Sequence, residues 1–175
     1  MRYLIIFLFS LSACSDVNKS LPSSTGILSE VIFVVEDLLW ENHVKDIAFK
    51  TFGAPIRGLA QDESSFRVIQ VNHSEFKSIL KTHKNILIIA KNVNSSNQHD
   101  KWANGQLVVQ LEFMPNIAKL TKDLNKLKVI FDFREIRILR NSISKSSQKA
   151  QENHIKDQFI IETLIPLEYT IIKDT

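Results

Sequence analysis

The sequence holds one cysteine, four glycines and four prolines in 175 residues. A lone cysteine excludes a disulfide within the chain, so the fold must rest on its apolar core. Four glycines leave no Gly-rich loop to cradle a phosphate, and no Gly-x-Ser-x-Gly elbow is present. His43, His73, His83, His99 and His154 form no His-x-x-x-His or His-Glu-x-x-His pair, so no metal site is expected. His99-Asp100 falls in a polar loop, and His83-Lys84 reads as a surface turn before a strand. No cofactor motif is seen. Charge of one sign is scarce too: 22 Lys and Arg against 19 Asp and Glu leave a net +3. That balance argues against a nucleic-acid partner. Also missing is an apolar run of the ~20 residues needed to cross a membrane.

What is present begins at Met1. Arg2 supplies a positive end, and Tyr3 to Leu11 is apolar except for Ser10. This fits the hydrophobic region of a secretory signal. Leu11-Ser12-Ala13-Cys14 follows: a branched apolar residue, two small residues, then the cysteine. The order resembles a bacterial lipoprotein signal. The resemblance implies cleavage before Cys14, a lipid thioether on its sulfur and acylation of the new amino terminus. Two or three acyl chains hold a membrane far more firmly than one, at ~0.8 kcal/mol per buried methylene. The rival reading is an ordinary cleaved signal that leaves a free thiol. Ser15, and not an aspartate, follows the cysteine, which favours outer-membrane delivery over inner-membrane retention.

Three segments are expected: a signal over 1–13, a flexible tether over 14–26 and a single α+β domain over 27–175. The tether is polar and lacks periodicity; an ordered arm is its alternative. Removal of the signal leaves a net charge of +2 on a chain long enough to bury a core.

Within the domain, Glu30-Val31-Ile32-Phe33-Val34-Val35 is apolar without alternation. That predicts a central strand buried on both faces, or one covered by helices on one side and packed loops on the other. Glu36-Asp37 suit a helix start. Trp40, Val44, Ile47, Ala48 and Phe52 follow at helical spacing, and Gly53 and Pro55 end the helix. Phe66–Val71 predicts a second strand, and His73–Leu80 a short helix burying Phe76, Ile79 and Leu80. Asn85–Ala90 predicts a third, central strand. Residues 92–104 read as a polar loop around Trp102. Gln106–Phe113 alternates, with Leu107, Val109, Leu111 and Phe113 on one face, which predicts a half-exposed fourth strand. Ile117, Leu120, Leu124, Leu127 and Phe131 step by three and four, which predicts a long helix ending near Ser144. A helix over 149–159 and a last strand over 169–173 complete the chain. The order implies an α+β two-layer sandwich, its sheet mainly antiparallel or mixed, with helices on one face, distantly like a ferredoxin fold. A mixed sheet with helices on both faces is the alternative.

Several stretches taken together resemble a known family. They are Val31–Trp40, Phe52-Gly53-Ala54-Pro55-Ile56-Arg57-Gly58-Leu59, His83–Ile88, Trp102–Val109 and Ile165-Pro166-Leu167-Glu168-Tyr169. Together they resemble a domain family of unknown function found in lipoproteins of Bacteroidetes bacteria. The resemblance spans most of residues 27–172 and implies an envelope location but no activity. Members of that family continue well past the equivalent of Tyr169, so it also implies a shortened member or an incomplete half of a larger lipoprotein.

Two features of the domain point to ligands. Arg134, Arg137 and Arg140 recur every third residue. They read either as an anion or carboxylate clamp or as a solvated helix face with local ion pairs worth ~0.3–0.5 kcal/mol each. Trp102, beside Asn104-Gly105, either stacks on a sugar or peptide or closes the edge of the core. The leading expectation is a lipid-anchored, non-enzymatic module that meets the membrane through Cys14 and binds an envelope protein or wall component. The alternative is a hydrolase using carboxylates such as Glu36 and Asp37.

Overall fold

The computed structural model describes residues 20–170 and 172. The expected signal and Cys14 lie outside these residues. The domain is α+β, as expected, with a mixed sheet and its main helices on one face.

β1 (Glu30–Val34) is central because every one of its residues is buried. β2 (Arg67–Val71) pairs with it on one side and β3 (Asn85–Ala90) on the other, both parallel. β5 (Leu107–Glu112) continues the sheet parallel to β3, and it is buried on both faces at Leu107, Val108 and Val109, not half-exposed as its alternation suggests. β4 (Ser96–His99) closes it as an antiparallel edge, giving the order β2-β1-β3-β5-β4. The likeness to a ferredoxin fold therefore extends to the layering and not to the strand pairing. Parallel strands are buried on both faces, which is why β1 and β3 read as unbroken apolar runs.

One face of the sheet carries the larger core. Val31 and Phe33 of β1, Val35 just after it, and Leu87 and Ile89 of β3 meet two helical segments there. The first segment is α1 (Asp37–Leu39), a π-helical turn (Trp40–Val44) and α2 (Lys45–Thr51). The second is α3 (Ile117–Ser144). Asn116 starts α3, its side chain accepting from the backbone N–H of Lys119 at 2.9 Å. Leu120, Leu124, Leu127 and Phe131 form its buried stripe. Phe33, Phe52, Phe66 and Phe131 join in edge-to-face pairs.

The other face is covered by a short 3-10 helix (Ser78–Thr82) and the loop before β5. Phe76 and Leu80 pack there against Ile32, Val34 and Ile86. The expected helix over 73–80 is thus a turn followed by a 3-10 helix, and Ile79 is exposed. α4 (Lys149–Phe159) follows α3 and is the helix expected there; its buried residue is Glu152, and Phe159 is exposed.

Two further expectations are corrected. The loop over 92–104 contains β4, whose polar residues join the sheet through their backbone. Tyr169, Thr170 and Ile172 belong to no strand. The backbone N–H of Tyr169 instead turns back to the carbonyl of Pro166, and Ser147 bridges to Pro166. Of the expected tether, residues 20–26 form an ordered arm along the strand starts. Ser24 bonds to Asn104, and Thr25 bonds to Thr82 and Lys84.

Candidate functional site

α3 is longer than the sheet it covers. Its 28 residues extend ~42 Å at 1.5 Å per residue, whereas six-residue β5 extends ~20 Å. The helix starts beyond the end of β5 and returns toward the strand starts. Glu135 is its last buried residue, and 136–144 overhang.

Arg137 and Arg140 sit on this overhang and Arg134 just before it, and the three do not act alike. A step of three residues turns ~60° short of a full circle on a helix, so the side chains diverge. Arg134 points inward and is buried; Arg137 and Arg140 are exposed. Arg134 Nη1 donates to Asn85 Oδ1 at 2.6 Å, and Nη2 donates to the carbonyl of Gly105. Glu135 also points inward. It accepts from Asn85 Nδ2 at 2.8 Å and from the backbone N–H of Ser29 at 2.9 Å. Burial lowers the Arg134 guanidinium from its ordinary pKa; the charge of Glu135 opposes that shift and the charge of Arg137 adds to it.

This polar cluster continues under the arm. His83 is buried, not in the expected surface turn. Its Nε2 lies 2.8 Å from Glu30 Oε1, and its Nδ1 accepts from the backbone N–H of Asn85 at 3.3 Å. Gln106 caps the same region, donating to the carbonyls of Lys81 and His83. Every ionisable member is paired, so the cluster is a fastener between α3, β1 and β3, not a free reactive site.

Arg137 and Arg140 face elsewhere. They line an open groove of about 830 Å³ between the second half of α3, His99 at the end of β4 and Leu164. That volume is within the ~300–1,000 Å³ common for small-molecule sites. Ile130, Phe133 and Ile136 form its apolar helical wall, and no acidic residue lines it. Neither Arg137 nor Arg140 makes an ion pair or hydrogen bond among the described residues. The opposite wall is fixed by Glu152, whose carboxylate accepts from the backbone N–H of Ile165 at 2.9 Å. Two further grooves adjoin it: one of about 560 Å³ shares Ile136, Arg140 and Leu164 and carries Glu152 and Glu162, and one of about 550 Å³ shares Ile130 and passes Leu127 and Val109, with Lys119, Asp123 and Lys126 also lining it.

The remaining candidates fall outside this groove. Trp102 is half-buried at the edge of the smaller core, its ring 5.7 Å from Phe76 and covered by Lys101 Nζ at 4.6 Å. Asp100 holds the loop beneath it, accepting from the N–H groups of Gly105 and Gln106. Glu36 and Asp37 occupy the exposed first turn of α1, and Asp37 accepts from Gln70 Nε2 at 3.0 Å. Among the described residues, no group of three or more His, Cys, Asp or Glu is placed to hold a metal ion. No helix among them is long and apolar enough to cross a membrane.

An α+β domain with a basic, apolar-walled groove is the class that the fold and site define. The chain belongs to a family of domains of unknown function, DUF8532, whose model matches residues 24–144. No curated protein and no solved structure matches it. The matched span begins in the ordered arm and ends with α3. It therefore includes Arg134, Arg137 and Arg140 and leaves out α4 and Leu164.

Proposed function

We propose that this chain is a lipid-anchored protein of the Bacteroidetes cell envelope, held through Cys14. Its domain is a non-enzymatic module that captures a carboxylate-bearing envelope component. The anchor is supported by Leu11-Ser12-Ala13-Cys14 after a short apolar run, and Ser15 supports the outer membrane as the destination. The observation that carries the binding role is the groove on α3. Arg137 and Arg140 are two cations without an ion-pair or hydrogen-bond partner among the described residues, in a groove that no acidic residue lines, although Arg140 also borders the adjoining groove that holds Glu152 and Glu162. A guanidinium matches a carboxylate with two parallel hydrogen bonds, so the site suits a carboxylate more than a neutral sugar.

Two measurements test this reading. Cells expressing the full chain are fed a labelled palmitate, with and without Cys14→Ser. Label and membrane retention should both disappear in the variant; persistent label would refute the anchor. For the groove, carboxylates are titrated against the purified chain while the arginine side-chain NMR signals are followed. Arg137 and Arg140 should shift saturably, and an unchanged spectrum would refute the binding role.

A further inference from the structure

We infer that the groove on the second half of α3 binds a single-chain fatty-acid anion, its carboxylate on Arg137 and Arg140 and its hydrocarbon chain along Ile136, Phe133 and Ile130. This deepens the proposed function and rests on the groove being a carboxylate site.

Three observations favour an amphiphile over a small polar anion. First, charge and apolar surface are segregated along the helix. Arg137 and Arg140 stand toward the free end of α3, and Phe133, 70% exposed, lies with Ile136 and Ile130 toward the sheet. Single exposed apolar residues are ordinary, whereas a contiguous set along a groove marks a binding surface. Second, the apolar wall is long: from Arg140 to Ile130 is ten residues along the helix, ~15 Å, with Phe133 and Ile136 between them, whereas the adjoining groove past Leu127 and Val109 also carries Lys119, Asp123 and Lys126. Third, the head site suits one negative charge. No lining residue belongs to the first turn of a helix, where backbone N–H groups and the dipole favour phosphate. Arg140 is instead near the negative end of α3. Arg134, at the base, is already committed to Asn85 and Gly105. Two guanidinium groups thus remain for a planar monoanion.

The experiment uses the full chain carrying Cys14→Ser, so that no acyl chain of its own competes. Dodecanoate, dodecanol, acetate and dodecyl phosphate are titrated by calorimetry. Dodecanoate should bind saturably at one site, with dodecanol and acetate each at least tenfold weaker. Arg137→Gln/Arg140→Gln, at exposed positions, should weaken dodecanoate at least tenfold and leave dodecanol unchanged. Phe133→Ser should weaken dodecanoate and leave acetate unchanged. Acetate as tight as dodecanoate would leave the carboxylate site standing and overturn the fatty acid. Dodecyl phosphate tighter than dodecanoate would overturn the monoanionic head. Dodecanoate no tighter than dodecanol, with no effect of the arginine changes, would overturn the carboxylate site itself.

Discussion

Glu30 and His83 meet at 2.8 Å inside the protein, and Gly26 lies against the imidazole. A Cβ at Gly26 would be 2.2 Å from His83 Nε2, and its φ of +89° is one that L side chains rarely adopt. The glycine is therefore the point at which the arm closes over the buried pair.

Gly26→Ala should destabilise the domain by about 2–4 kcal/mol, from overpacking together with the positive φ. Urea unfolding measures the loss. In a His83→Ala background the steric part disappears, and the same substitution should cost only about 1–2 kcal/mol. Equal costs in the two backgrounds would show that the ring is not what the arm rests on.

Arg134→Met should cost about 3–5 kcal/mol, because Glu135 is left as an uncompensated buried charge. Arg134→Met/Glu135→Leu should recover a large part of that loss. Chemical denaturation of the single and double variants checks this coupling. Simple additivity would mean that the two side chains act independently.

Phe131→Ala should cost about 3–5 kcal/mol. Its ring is fully buried and contacts the rings of Phe52 and Phe66, so the cavity would open between α2, α3 and β2. The loss of urea midpoint should far exceed that for Phe133→Ala, two residues along the helix and exposed. A similar loss at both positions would contradict the orientation of α3.

The Glu152 carboxylate is held below its ordinary pKa, first by the backbone N–H of Ile165 and then by Lys149. A depressed carboxylate contributes stability above its unfolded pKa of about 4.3, and that contribution is lost as pH falls through the folded value. The N–H of Ile165 should therefore gain hydrogen exchange in acid, measured against the drift in intrinsic exchange rate. Glu152→Gln should remove this dependence. A wild-type profile identical to that of the variant would discount the contact.

The elements legible in the sequence are those whose side chains report their surroundings. Asn85–Ala90 and Lys149–Phe159 have the expected limits, and α3 follows its three-and-four spacing to Ser144. β4 was hidden because Ser96 to His99 pair through backbone alone. The last strand was expected from β-branched residues near Tyr169, but propensity cannot supply a sheet edge on which to pair. The arginines show the limit most clearly. A three-residue repeat places Arg134 in the interior and Arg137 and Arg140 outside, and only the direction of α3 over β3 and β5 decides which. The residues that receive Arg134 were missed for a related reason. Asn85 stands at the start of an apolar strand, a weak sign that it is buried with a partner, and His83 two residues before it carries no such sign.

The arm and the groove share one peptide. The carbonyl of Gly105 accepts from Ser24 Oγ at 3.2 Å and also from Arg134, at the base of the groove. Nine residues lie between Cys14 and Ser24, and the ten steps from one to the other, fully extended, reach no further than ~36 Å. A lipid on Cys14, as proposed, would keep the strand starts and the C-terminal end of α3 within that reach of the bilayer, with β-strand ends such as Val34 and Glu112 on the far side of the domain. An acyl chain leaving the membrane would then meet Arg140 first.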